Sequence, residues 1–337
     1  MLHAALKAKC APIKYLVFSG GGTKVTAALG FLIECREREV PWSFATQTEG
    51  IAGTSAGAFL AALLIMTKFD MHRTLEAITA LQHIHILDVN KLVNLFSPQL
   101  ALVGMDTTLP LILDPWLDRY CQHQKHVTLL QFYQQFHVWL RISTVDFLTQ
   151  QPVVLDHLSD PDLPLREAIW ASMALPWIAQ PLVQHGRFLV DGGLLCIFDM
   201  HAFGLMNEPY TFGINIDSGY TYILDTLRGL LVQGTAPLAT PSITQSTLGH
   251  MCTHASLFMS VLLTPLHHLQ HLAHQLYNPQ QYVTITGFTT FSLSFDVLKK
   301  PEGLLQIGRH RCTQWLQQQT VYYLIAVWLE HYIVAMT

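Results

Sequence analysis

The chain has 337 residues, enough for one large domain or two small ones with an ample core. Half of the residues are apolar or aromatic and only 12% are Asp, Glu, Lys or Arg, against roughly 25% charged residues in an ordinary soluble domain. A formal net charge of -4 at pH 7, without any dense Lys/Arg run, supplies no field for a polyanion and excludes nucleic acid as an expected partner.

In chain order, Tyr15-Leu16-Val17-Phe18 reads as a strand that runs into Gly20-Gly21-Gly22-Thr23-Lys24, and Val25 to Glu39 then carries apolar residues at helical spacing. Ile51-Ala52 ends a second strand before Gly53-Thr54-Ser55-Ala56-Gly57, and Ala56 to Lys68, apolar all round, predicts a buried helix. Residues 70–124 are helical in pattern, broken at Pro98, Gly104, Pro110 and Pro115, and read as an insertion that covers something. Thr128 caps a helix to Phe136, His137 to Thr144 alternates as a strand, Val153 to Leu155 is another, and Pro164 to Leu175 is a helix. Pro181–Gln184 and Arg187–Val190 flank His185-Gly186 as a hairpin leading into Asp191-Gly192-Gly193. Tyr210–Ile216 and Tyr282–Thr286 are further strands in a remainder that is mostly helical. Strands alternating with helices predict an α/β fold, a sheet flanked by helices. Tyr322 to Met336 is nearly apolar but is interrupted by Glu330 and His331, which predicts a packed or interfacial helix rather than a membrane span.

Six cysteines, at 10, 35, 121, 196, 252 and 312, lack C-x-x-C spacing, and residues 1–12 lack a sustained apolar run. Both point to reduced core thiols in a cytoplasmic or otherwise intracellular protein. Eighteen histidines form no zinc pattern: His267, His268, His271 and His274 lie together on a Leu-rich stretch without a Cys or carboxylate partner. No metal and no cofactor are expected.

Two glycine-bounded turns carry the chemistry. A serine between small residues at a strand-to-helix turn is the nucleophile-elbow pattern, which makes Ser55 a candidate nucleophile. Glycines at a helix start offer bare backbone N–H groups near the positive end of the helix dipole, so Gly21 and Gly22 are candidate oxyanion donors. Lys24 either supports this loop, meets an anionic head group, or is a solvated first-turn residue. Val25 stands where a dinucleotide fingerprint needs its third glycine, and Lys24 lacks the neighbours of a P-loop lysine. A serine hydroxyl needs a base. Asp191 ends a strand and is followed by two glycines that let the turn bring its carboxylate to another loop, and partial desolvation raises a carboxylate's basicity.

Taken together, Gly20-Gly21-Gly22-Thr23-Lys24, the G-x-S-x-G around Ser55 and Asp191-Gly192-Gly193, in this order, resemble the patatin-like phospholipases. Leu16-Val17-Phe18-Ser19 and Ala171-Ser172-Met173-Ala174-Leu175-Pro176 extend the likeness, as does, loosely, Phe291 to Gly308. The resemblance implies a central, mostly parallel sheet flanked by helices, in a single domain over 1–337: a catalytic core at 14–217 containing the 70–124 insertion, and a mostly helical part at 218–337. It also implies that Ser55 is the nucleophile, Asp191 the base, and Gly20, Gly21 and Gly22 the oxyanion loop of a calcium-independent hydrolase that cleaves acyl esters of phospholipids or neutral lipids through an acyl-serine. Two departures stand out: Val25 where the family often has glycine, and Cys196-Ile197-Phe198 where Asn-x-Pro is usual.

An acyl-ester lipid at a membrane surface is the expected partner; residues 70–124, 250–277 and 322–336 either pack on the core or supply a peripheral docking face, and such a face could equally take a protein activator. Two other readings stay open: a lipid-binding protein of the same fold with weak turnover, and a Ser-His-Asp esterase using His185 or His201.

Overall fold

The computed structural model describes residues 13–40, 47–83, 113–122, 124–176, 179–217, 277–278, 281–288 and 298–336, with side chains to 319 in the last segment. The predicted histidine group at 267–274, the docking segment at 250–277 apart from Tyr277, Cys10 and Cys252 lie outside them.

Among the described residues eight strands form one sheet: β1 (Tyr15–Phe18), β2 (Gly50–Thr54), β3 (Trp139–Asp146), β4 (Gln151–Leu155), β5 (Leu182–Gln184), β6 (Arg187–Asp191), β7 (Thr211–Ile216) and β8 (Tyr282–Ile285). The order is β5-β6-β3-β2-β1-β7-β8, with β4 paired to β3. β1, β2, β3, β7 and β8 pair in parallel, while β4, β5 and β6 run antiparallel to their neighbours. The sheet is therefore mostly parallel and flanked by helices, as expected from the sequence.

Helices α1 (Val25–Glu37) and α2 (Ala56–Met66) follow β1 and β2, and all eleven residues of α2 are buried. That fits a helix without a polar face. Next come α3 (Met71–Ala80), capped by Asp70, and α4 (Asp114–Tyr120), which are the described parts of the predicted 70–124 insertion. α5 (Leu129–Phe136) opens on the predicted Thr128, whose capping box is completed by Gln131. α6 (Leu165–Met173) stops two residues before the predicted end. α7 (Glu302–Met336) contains the apolar Tyr322–Met336 stretch, and no helix among the described residues is long and apolar enough to cross a membrane.

α7 lies directly on α1. A Cβ on Gly308 would collide with the Ala27 carbonyl oxygen and fall 2.7 Å from the Phe31 nitrogen, and one on Gly30 would meet the backbone of Leu305. Cys35 and Cys312 face each other across this seam as free, buried thiols with sulfurs 3.3 Å apart, and Arg309 reaches Glu34 at 2.9 Å beside them. The main core lies between these helices and one face of the sheet. On the other face, Phe198, Met200, Ala202 and Phe203 cover Val17 and Ala52.

One feature of β3 controls the site. Ile142 and Ser143 are paired to β2 and β4 at once, while Thr144, Val145 and Asp146 are paired to β4 and β6 at once. A strand has two edges, so β4 holds one throughout and β2 and β6 divide the other. β2 ends with Thr54 opposite Ser143, and β6 ends with Asp191 opposite Thr144, the next residue.

Candidate active site

Ser55 follows Thr54 with φ 54° and ψ -127°, a region that is unfavourable for a side-chain-bearing residue and costs on the order of 1–3 kcal/mol. The strain falls on the serine itself, whereas the flanking glycines serve close approach. A Cβ on Gly53 would sit 2.5 Å from the Ala58 nitrogen, and one on Gly57 would sit 2.6 Å from the Phe18 oxygen and collide with that of Ser19. The backbone N–H of Ser55 donates to the Ser172 hydroxyl at 2.8 Å, and that hydroxyl donates to the Ser143 carbonyl at 2.6 Å.

Asp191 is 1% exposed. Its backbone N–H donates to the Ala174 carbonyl at 3.0 Å, so the end of α6 holds both ends of the candidate pair. Oδ1 accepts the Gly193 N–H at 2.7 Å, while Oδ2 is buried without a hydrogen-bond partner. Burial lifts the carboxyl to about 6; the facing Ser55 hydroxyl and the Gly193 N–H oppose that shift without cancelling it. Gly192 must lack a side chain because a Cβ would fall 2.7 Å from the Ser143 carbonyl carbon.

The glycine loop lies beside the elbow. A Cβ on Gly20 would be 3.2 Å from that of Ser55 and 3.1 Å from Ile197 Cγ1. The Gly20 N–H is taken by the Ile197 carbonyl at 3.2 Å, so its contribution is clearance rather than donation. The N–H groups of Gly21 and Gly22 take no partner among the described residues, and Gly22 has φ 56°, where glycine is favoured. The Ser19 hydroxyl fixes the loop by accepting the Ile216 N–H at 2.7 Å and donating to the Gly20 carbonyl at 2.9 Å.

Lys24 differs from two of its three readings. It is 2% exposed, so it neither reaches a head group nor sits in solvent. Its ammonium lies 5.4 Å from the Phe288 ring centre, and burial lowers its pKa to about 8 against the pull of Asp217.

Cys196-Ile197-Phe198, the departure after Gly193, packs into the site. The Cys196 carbonyl accepts from the Thr54 hydroxyl at 3.4 Å, and the Phe198 carbonyl accepts from the Tyr277 hydroxyl at 3.2 Å. Ser172, Ser19 and Ile197 carry no motif of their own. Their parts come from contacts across the fold, and a small-residue helix end before the Asp was the one hint of Ser172.

A cavity of about 630 Å³ lined by Lys14, Tyr15, Glu49, Tyr133, Trp139 and His157, among others, lies at the amino ends of the parallel strands. Ser55 and Asp191 lie at the other end. No group of three or more His, Cys, Asp or Glu residues suited to a metal occurs among the described residues.

A serine hydroxyl on a strained turn, a buried carboxyl with an open oxygen and the two glycine N–H groups together suit acyl transfer. Among solved structures, VipD from Legionella pneumophila matches at 15% identity with a TM-score of 0.51, covering 92% of this chain and 68% of that one; it shares the fold. ExoU from Pseudomonas aeruginosa, in complex with SpcU, matches at 15% identity and a TM-score of 0.45, covering 92% of this chain and 53% of the other. No curated protein gives a significant match. The family model described as patatin-like phospholipase matches residues 16–200, more than half of the sequence, and the chain belongs to that family.

Proposed function

We propose that this protein is a serine lipid acyl hydrolase of the phospholipase A or lysophospholipase type working through a Ser55–Asp191 dyad. The observation that carries this reading is the division of one β3 edge, which brings a buried carboxyl with an unpartnered oxygen next to the elbow serine. Ser55 Oγ attacks the ester carbonyl as Asp191 Oδ2 takes its proton. The oxyanion of the tetrahedral intermediate accepts from the Gly21 and Gly22 N–H groups. Asp191 returns the proton to the departing lipid alcohol, which leaves an acyl-serine. Water then attacks the acyl group, again giving up its proton to Asp191, and the fatty acid departs as Ser55 recovers its hydrogen.

A pKa of about 6 suits the base: the carboxyl is ionised at neutral pH and more basic than an exposed aspartate. A Ser-His-Asp arrangement is not supported, since no histidine among the described residues hydrogen-bonds to Ser55 or Asp191. His185 occupies the β5–β6 turn, and His201 lies 3.6 Å from Glu208. The reading is tested with a fluorophosphonate probe and a water-soluble short-chain ester. Wild type should label and hydrolyse, Ser55→Ala should do neither, and Asp191→Asn should lose turnover while His185→Ala and His201→Ala retain it. Full turnover by Asp191→Asn would remove the dyad. Labelling that needs a cell extract would identify a protein activator.

A further inference from the structure

We infer that the β3–β4 turn and the β5–β6 hairpin form an uncharged apolar tip that docks the enzyme on a phospholipid membrane beside the site; this rests on the lipid hydrolase reading above. In the β5–β6 ladder Val183 pairs with Phe188. The Phe147 N–H donates to the Phe188 carbonyl at 2.8 Å, and their rings lie 6.3 Å apart. Residues side by side across a ladder share a face, so Val183, Phe188 and Phe147 form one row. Its outer members are open: Phe147 is 50% exposed, Val183 66%, and Leu148 beyond the row 68%.

The row continues into the site. Two residues along, Val145 pairs with Val190 on the same face, and with Leu194 they form a buried cluster against which Phe188 packs. The next pair is Thr144 with Asp191. Three residues at about 3.3 Å each separate the exposed row from the candidate base, about 10 Å in all. The exposed Leu195 stands in the turn that carries Asp191.

Composition argues for a bilayer rather than a charged partner. Phe147-Leu148-Thr149-Gln150-Gln151 and Leu182-Val183-Gln184-His185-Gly186 contain no Asp, Glu, Lys or Arg, and the following Arg187 is engaged by Asp160. Exposed apolar side chains on uncharged loops enter the acyl boundary of a zwitterionic membrane without leaving a charge to desolvate. This surface is separate from the segments singled out for docking in the sequence. The opposite end of the sheet supplies a control, because Leu205 and Met206 are 68% and 88% exposed just before β7 begins.

The test is co-sedimentation of the full chain with phosphatidylcholine vesicles, which reads binding without turnover. Phe147→Ser/Leu148→Ser/Val183→Ser should lower vesicle partitioning about tenfold or more and lower vesicle-lipid hydrolysis in parallel, with soluble-ester hydrolysis unchanged. Leu205→Ser/Met206→Ser should partition like wild type. A conservative Phe147→Trp variant should gain blue-shifted emission on adding vesicles. Equal partitioning of wild type and the triple variant overturns the inference, as do absence of wild-type binding, loss in the control variant alone, or a wild-type dimer that the triple substitution breaks with lipid binding intact. Vesicle binding without any soluble-ester hydrolysis, with or without added cell extract, defeats the hydrolase reading instead and leaves the docking result standing.

Discussion

The Ser172 hydroxyl accepts the backbone N–H of Ser55 at 2.8 Å. It also donates to the Ser143 carbonyl at 2.6 Å, so one fully buried side chain ties the elbow to the strand that pairs with both β2 and β6. Ser172→Ala leaves the Ser55 N–H without its acceptor. It should cost about 1–3 kcal/mol of stability and lower kcat for a soluble ester with KM little changed, because the loss falls on the position of Oγ. Steady-state kinetics with a thermal melt would check this, and an unchanged kcat would limit Ser172 to a structural part.

The pH dependence of Asp191 separates stability from activity. Its folded pKa, about 6, lies above the ordinary carboxylate value of 3.8, so the folded state holds the proton more tightly. Stability contributed by this group is present at low pH and is lost as pH rises from about 4 through about 6. Hydrolysis runs the other way, because the base must be ionised, and kcat/KM should rise with an apparent midpoint near 6. Asp191→Asn removes the buried charge: at pH 7.5 it should melt higher than wild type while being inactive. A lower melting temperature, or a kcat/KM profile flat from pH 5 to 7, contradicts this account.

At the elbow, a methyl group on Gly57 would meet the backbone oxygens of Ser19 and Phe18, neither of which has a flexible end to move. Gly57→Ala should therefore destabilise by about 3 kcal/mol or more and reduce soluble expression. Gly186, with φ 75° and open space within 4 Å of where a Cβ would stand, bears only backbone strain. Gly186→Ala should cost about 1 kcal/mol. Chemical denaturation of the two variants gives the ordering, and equal costs would be the contrary result.

The contact of α7 with α1 gives a comparable contrast along one helix. Gly308→Val places carbon against the Ala27 carbonyl and should separate the helices at a cost of about 3 kcal/mol. Gly303→Ala meets nothing within 4 Å and should stabilise slightly, by about 0.5 kcal/mol. Crosslinking of Cys35 to Cys312, whose sulfurs are 3.3 Å apart, reports whether the seam stays closed, and it should persist in Gly303→Ala and fail in Gly308→Val.

The amino-acid sequence by itself determined the local pieces: apolar runs ending in glycine turns, the Thr128 cap, the all-apolar helix behind Ser55 and the His185-Gly186 hairpin. Each depends on residues a few positions apart, which is the range over which propensity and hydrophobic period act. Only the tertiary structure decided that β2 and β6 divide one edge of β3, because strand pairing joins Thr54, Ser143, Thr144 and Asp191 across long stretches of chain. It likewise decided that Lys24 is buried, that the Gly20 N–H belongs to Ile197, and that Gly53 and Gly57 answer to backbone approach while Ser55 holds the strained angle. Burial and close packing depend on which surfaces meet, and no local pattern records that.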